Sequence, residues 1–248
     1  MVAEEQSLTL AFLLLFVPLM LFFASRVRSG HQASLRRIPA FEAIPDLMGR
    51  AAESGQALHV GLGSGGVGGE DTASALAGLT VLGYLAEQAA VFDCPPVVTV
   101  ADMALLPVAQ DVVRNGYLRQ NRLRGYRPTT VRFLGTLATV YATGVMDILA
   151  HERIMANAMI GAVGNEYLLI GETGAKHEIN QIVGTSNVGT LPFVFATADE
   201  ALIGEEMFAG GAYLSRLPEH IGCLLTQDWM RLLLAGIILV GVVWLTLF

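Results

Sequence analysis

The chain predicts an α/β protein: a doubly wound, mostly parallel Rossmann-like sheet flanked by an N-terminal and a C-terminal transmembrane helix. Three observations carry that expectation. Residues 7–25 and 230–248 are almost wholly apolar, and each is about long enough to cross a hydrocarbon core of roughly 30 Å. Between them, short β-rich runs alternate with longer runs of helical spacing. The short runs are apolar throughout, as strands are when helices cover both faces of a parallel sheet.

The first span, SLTLAFLLLFVPLMLFFAS, is preceded by Glu4 and Glu5 and no basic residue, and no small-x-small cleavage site follows it. It is therefore expected to remain as an anchor rather than be removed as a signal peptide. Arg26, Arg28, Arg36 and Arg37 come next, and an excess of basic residues beside a span marks the cytoplasmic side. The expected organisation is an extracytoplasmic tail and first transmembrane helix over 1–25, then a basic connector and short helix over 26–56. A cytoplasmic α/β domain over 57–229 follows, and a second transmembrane helix over 230–248 returns across the bilayer. Trp229 and Trp244 stand near the two ends of that second span, where indole rings prefer the interface. Pro18 is expected to kink the first span and leave a carbonyl that needs a neighbouring helix. The competing reading makes one apolar end a buried core helix.

After the connector, Phe41, Ile44, Leu47, Met48 and Ala51 recur on one helical face, so 40–54 reads as an amphipathic helix with Gly55 as its stop. Strands are expected at 57–61, 96–101, 129–134, 156–162 and 179–184. Helices fall between them at about 71–91, 103–121, 137–153 and 165–175, with a last one near 191–214. The fourth and fifth strands are the least determined, because EYLLIG at 166–171 fits a strand as well as a helix. Three helical runs, 74–90, 137–150 and 191–214, offer little polar surface on any side, and a helix apolar all round is buried all round. In a domain of this size that predicts packing of subunits against one another.

Composition narrows the function. Residues 26–229 hold 14 basic and 20 acidic side chains, a net charge of −6, which argues against nucleic acid as a partner. Cys94 and Cys223 have no metal or redox spacing and read as buried thiols. His31, His59, His151, His177 and His220 are scattered and form no compact ligand set. No G-x-S-x-G and no P-loop occurs, so no catalytic residues and no metal ligands are assigned, and no cofactor is named.

One glycine run does match a binding pattern. Gly61, Gly63 and Gly66 satisfy G-x-G-x-x-G after a predicted strand, with Ser64 inside the run and Asp71 or Thr72 as the N-cap of the next helix. Two features weigh against a dinucleotide. The next strand ends at Asp102, some 41 residues after Gly61, where the acidic ribose contact belongs about 20 residues on. Glu70 and Asp71 also stand where phosphate would sit. A structural or subunit-contacting glycine loop is the favoured reading. The carboxyl ends of the predicted strands gather Ser64, Asp102, Thr136, Asn165, Glu166, Thr185, Ser186 and Asn187, where open α/β sheets bind ligands. Of these, Ser64, Asp102 and Asn187, with Gly61, Gly63 and Gly66, are the candidate ligand contacts. The ordinary use of such residues is helix capping.

Residues 114–132 carry Arg114, Arg119, Arg122, Arg124, Arg127 and Arg132 with Tyr117 and Tyr126 interleaved and no acidic residue. In a tethered domain, the first five are candidates for contact with anionic lipid head groups, at about 1 kcal/mol per basic residue near the surface, or with the acidic surface of a neighbouring subunit. A solvated helix end is the plain alternative.

The segments IPAFEAI (38–44), VRFLGT (131–136), NQIVGT (180–185), LPFVFATADEALIGEEMFAGGAYLS (191–215) and GCLLTQDWMRLLL (222–234) resemble an uncharacterised family of bacterial membrane-anchored proteins, catalogued as a domain of unknown function. The resemblance runs from the first span to the last. Glu205, Glu206 and Tyr213 lie in its most recognisable stretch. It implies a two-ended anchor around an α/β domain, and it brings no activity, cofactor or catalytic residue. Pro45 departs from the pattern and is expected to shorten or restart the helix after IPAFEAI. The function expected is a membrane-anchored, self-associating scaffold in contact with the bilayer. The alternative is a small-ligand or nucleotide sensor using the glycine loop and polar edge, and an enzyme site completed by a partner subunit is a third reading.

Overall fold

The computed structural model describes residues 2–31 and 34–247. Arg37–Gly210 form one compact unit, and the two ends of the chain, up to Arg36 and from Gly211, form another.

The larger unit has the expected α/β architecture. Its six strands are β1 (Ala57–Gly63), β2 (Val97–Val100), β3 (Val131–Phe133), β4 (Ile154–Ala162), β5 (Asn180–Thr185) and β6 (Glu200–Ile203). They form one sheet in the order β3-β2-β1-β4-β5-β6, and every pairing is parallel. The order reverses between β1 and β4, which makes their carboxyl ends the topological switch point. On one face lie α2 (Pro39–Ser54), α3 (Thr72–Phe92) and α4 (Leu105–Arg119). On the other, α5 (Ala138–His151), α6 (Tyr167–Lys176) and α7 (Leu191–Thr197) enclose a core of Tyr141, Val145, Tyr167, Ile170, Val183 and Val194.

Local chemistry accounts for most of these boundaries. Pro39 opens α2, where its missing N–H costs nothing. Gly55 closes it at φ 66 with its N–H returned to the carbonyls of Ala51 and Ala52. Phe41, Ile44, Leu47, Met48 and Ala51 are its buried face, as the spacing requires. Pro45 neither shortens nor restarts this helix; it sits on the exposed side, where its ring meets water and not a packed neighbour.

Two further expectations are corrected. The run 191–214 is not a helix: α7 ends at Thr197, β6 follows, and 3₁₀ and π turns cover Gly204–Ala209 and Gly211–Ser215. The sequence EALI is composed mostly of helix formers, but Glu200 to Ile203 pair with Ile182 to Thr185, so partner strand overrides intrinsic preference. EYLLIG, the ambiguous run, contributes Tyr167–Gly171 to α6. The absence of a polar face on α3 also has an internal explanation. Eleven of its residues, from Ser74 to Ala90, are buried between the sheet, α2 and α4.

In the second unit, α1 (Val2–Arg28) runs without a break through Pro18, and α8 (Pro218–Leu247) is its antiparallel neighbour. Arg28 pairs with Glu219, the Phe23 and Trp229 rings lie 6.3 Å apart, and a side chain on Gly222 would sit 2.7 Å from the Ala24 nitrogen. Glycine at that position lets the two backbones approach. The Tyr213 hydroxyl donates to the Arg36 carbonyl at 2.5 Å. Leu10, Leu14, Leu21 and Phe22 on α1 and Leu232, Ile238, Val240 and Trp244 on α8 are exposed, so an apolar helix stands near each end of the chain. Among the described residues, two helices are long and apolar enough to cross a membrane: Thr72–Phe92, 56% buried over its apolar window, and Pro218–Trp244, 11% buried. The first is α3, a core helix of the sheet.

Candidate functional site

At the switch point, β1 runs into the glycine loop and β4 ends beside it. Gly61 lies within β1 and faces inward, where a Cβ would meet Met159 and the Tyr141 hydroxyl. Gly63 has φ 84, and a Cβ there would collide with the Ala162 carbonyl. Five of the loop's amides are taken up by the protein's own acceptors. Ser64 and Gly65 donate to the Ala162 carbonyl at 2.9 and 3.3 Å, Val67 to Asp102 Oδ2 at 3.0 Å, and Gly68 and Gly69 to Thr72 Oγ1 at 2.9 and 3.1 Å. A phosphate-binding loop presents such N–H groups to its ligand. Here Asp102 packs against Gly66 and Asp71 against Gly65, so carboxylates stand where an anion would need to be.

The structure joins Gly63, Ser64, Gly66 and Asp102 into one loop cluster. Ser64 Oγ donates to Glu166 Oε1 at 2.5 Å, and the Gly164 amide reaches the same oxygen at 2.9 Å. Asp102 also accepts the Ala104 amide through Oδ1 at 2.9 Å, opening α4. Asn187 is set apart on the loop after β5, where it accepts the Gly189 amide at 2.9 Å and donates its own N–H to Thr185 Oγ1 at 3.0 Å. Ser186 meets Ser74 of α3, hydroxyl to hydroxyl, at 3.1 Å. The hydrogen bonds of these residues therefore fasten loops and helix starts. Asp102→Ala should free the Val67 and Ala104 amides, lower stability by about 1–2 kcal/mol and speed amide exchange at Val67.

The arginine run divides in two. Arg119 pairs with Glu87 at 2.7 Å, and Arg132 pairs with Glu152. Arg114, Arg122, Arg124 and Arg127 are exposed with no carboxylate within ion-pair distance among the described residues. They lie at the end of α4 and in the turns before β3, hence at the amino edge of the sheet, opposite the glycine loop. Tyr117 packs against Tyr126 there, ring centroids 6.2 Å apart. A groove of about 410 Å³ opens beside them, lined by Ala90, Asp93, Tyr117, Arg122, Leu123 and Arg124 among others.

A third feature lies under the sheet. His59, fully buried in β1, bonds Asn157 Oδ1 through Nδ1 at 2.7 Å and Thr99 Oγ1 through Nε2 at 2.9 Å. Thr99 reaches the Tyr141 hydroxyl at 3.0 Å. Asn157 Nδ2 donates to Gln181 Oε1 at 3.3 Å, which also receives the Tyr167 hydroxyl at 3.4 Å. Gln181 Nε2 ends the chain on the carbonyls of Gly171 and Thr197. Burial pushes the His59 pKa down to about 4, a shift only partly offset by the Asn157 hydrogen bond, and it pushes both Tyr141 and Tyr167 up to about 12. All these groups are neutral at pH 7, and closed off from solvent they hold strands together.

A family model described as a domain of unknown function, DUF6754, matches residues 1–248. The chain belongs to the DUF6754 family. No curated protein and no solved structure matches it.

For this DUF6754 chain, sequence reading finds the glycine loop, Asp102 and the arginines, and it misses the buried row. The available signal is a single polar residue inside each of three apolar strands, His59, Thr99 and Asn157, with Gln181 near the start of a fourth. Only the register, with His59 opposite Asn157 and Asn157 opposite Gln181, puts three of them in one line.

Proposed function

We propose that this DUF6754 chain is a membrane-anchored scaffold that associates with copies of itself. The observation that carries the reading is an apolar rim at the carboxyl edge of the sheet. Five of the six segments that follow a strand expose a large apolar side chain, Val67, Met103, Leu137, Val188 and Phe208, and after β4 the first turn of α6 exposes Leu168 and Leu169. Fully covering such groups contributes on the order of 1.5–3 kcal/mol each, and exposed apolar surface of this extent marks an interaction site. Two of the three apolar helical runs read from the sequence no longer bear the argument, because α3 is covered within its own chain and 191–214 is not one helix.

The anchor at both ends is supported by the antiparallel α1–α8 pair, whose outer surfaces are rows of exposed Leu, Ile, Val and Phe. An antiparallel pair sends both connections to the same side of a bilayer. Arg26 and Arg28 in the last turn of α1 favour the cytoplasmic side for the α/β domain. The mass of the particle in mild detergent tests the scaffold reading. A multiple of the 26.4 kDa chain that survives dilution is expected, and a monomer at all concentrations overturns it.

A further inference from the structure

The two edges of the sheet differ in charge as well as in position. The segments following the six strands contain Glu70, Asp71, Asp102, Glu166, Glu205 and Glu206 and no Lys, Arg or His. At the opposite edge, Arg114, Arg122, Arg124 and Arg127 have no acidic partner among the described residues, and Leu118 and Leu123 are exposed among them at 48% and 40%. One edge is thus apolar and acidic, whereas the other carries an apolar, basic cluster at its β3 end, with Glu152, Glu178 and Asp199 farther along it before β4, β5 and β6. The acidic edge cannot face its own image across a two-fold axis, because like charges brought together across an interface cost several kcal/mol.

From this complementarity we infer that copies of the chain associate head to tail, the arginine-lined amino edge of one domain receiving the carboxyl-edge rim of the next. This rests on the scaffold reading above and specifies its contact. The groove bounded by Tyr117, Leu123, Arg122 and Arg124 takes an apolar side chain from the rim, and the free guanidinium groups meet Glu70 and Asp71, both exposed. Asp93 on the groove wall is the one carboxylate there, and the arginines around it outnumber it. A contact of this kind is heterologous, so it propagates into a row or closes into a ring according to the rotation between neighbours.

The test is a charge exchange in the full-length protein, read by particle mass in detergent at low salt. R122E/R124E/R127E alone and E70R/D71R alone should each weaken assembly by at least about tenfold in dissociation constant. Mixing the two variants should restore it, since each reversed edge then finds its complement. Wild-type assembly should also loosen as salt rises. Wild-type particles that stay assembled while neither reversal weakens them, or a mixture that fails to recover, overturn the head-to-tail contact and leave the scaffold reading standing. A wild-type protein that is monomeric throughout overturns both. Recovery in the mixture also excludes misfolding as the cause of the single-variant losses.

Discussion

Gly63→Ala should be among the most damaging single substitutions in this domain. At φ 84 the residue lies in the left-handed region, which costs an L side chain of order 1–3 kcal/mol, and the new methyl group would drive into the Ala162 carbonyl. That carbonyl accepts both the Ser64 and Gly65 amides, so moving it aside undoes the loop closure too. A loss of roughly 3 kcal/mol or more is expected, large against the 5–15 kcal/mol that stabilises a typical domain. Denaturant unfolding of the purified protein measures it. Wild-type stability for Gly63→Ala would mean that the β1–β4 junction is looser than its geometry.

The second large effect is on pH dependence. An unfolded chain protonates His59 near 6.5, whereas the folded protein resists until about 4, chiefly because burial disfavours the cation. Between those values the unfolded state holds a proton that the native state lacks, so stability falls as pH drops through this window. The loss from this residue amounts to about 3 kcal/mol and levels off below pH 4. Unfolding midpoints measured from pH 7 to pH 4 should therefore decline more steeply for the wild type than for His59→Gln. That variant should itself be less stable at pH 7 by about 1–3 kcal/mol, because an amide cannot reach both Asn157 and Thr99 as the imidazole does. Parallel slopes for the two proteins would remove His59 as the cause.

These two residues also mark where sequence reading succeeds and where it stops. The glycine pattern is visible in the chain as written, and so are the amphipathic face of α2 and the apolar strands, because periodicity and backbone freedom are local properties. What occupies the glycine loop is not local. Ala162 and Asp102 reach it from 99 and 39 residues beyond Gly63, and only the strand order brings them there. His59 reads as an interruption in an apolar run until the register lines it up with Asn157 and its ring reaches Thr99 two positions along β2. The same holds for charge: the arginine run is plain in sequence, but its division into residues neutralised by Glu87 and Glu152 and residues left free depends on which helix ends meet. β6 was unreadable for a different reason, since Glu, Ala and Leu favour helix and the strand exists only because β5 offers it an edge.

The start of α2 and the end of the turn after β6 are neighbours, with a Cβ on Gly210 falling 3.5 Å from the Phe41 ring. The α/β body is therefore an insert whose entrance and exit share one doorway. A short spacer in place of Arg37–Gly210 would suffice to rejoin the chain, and another module with adjacent termini could be spliced into the same gap.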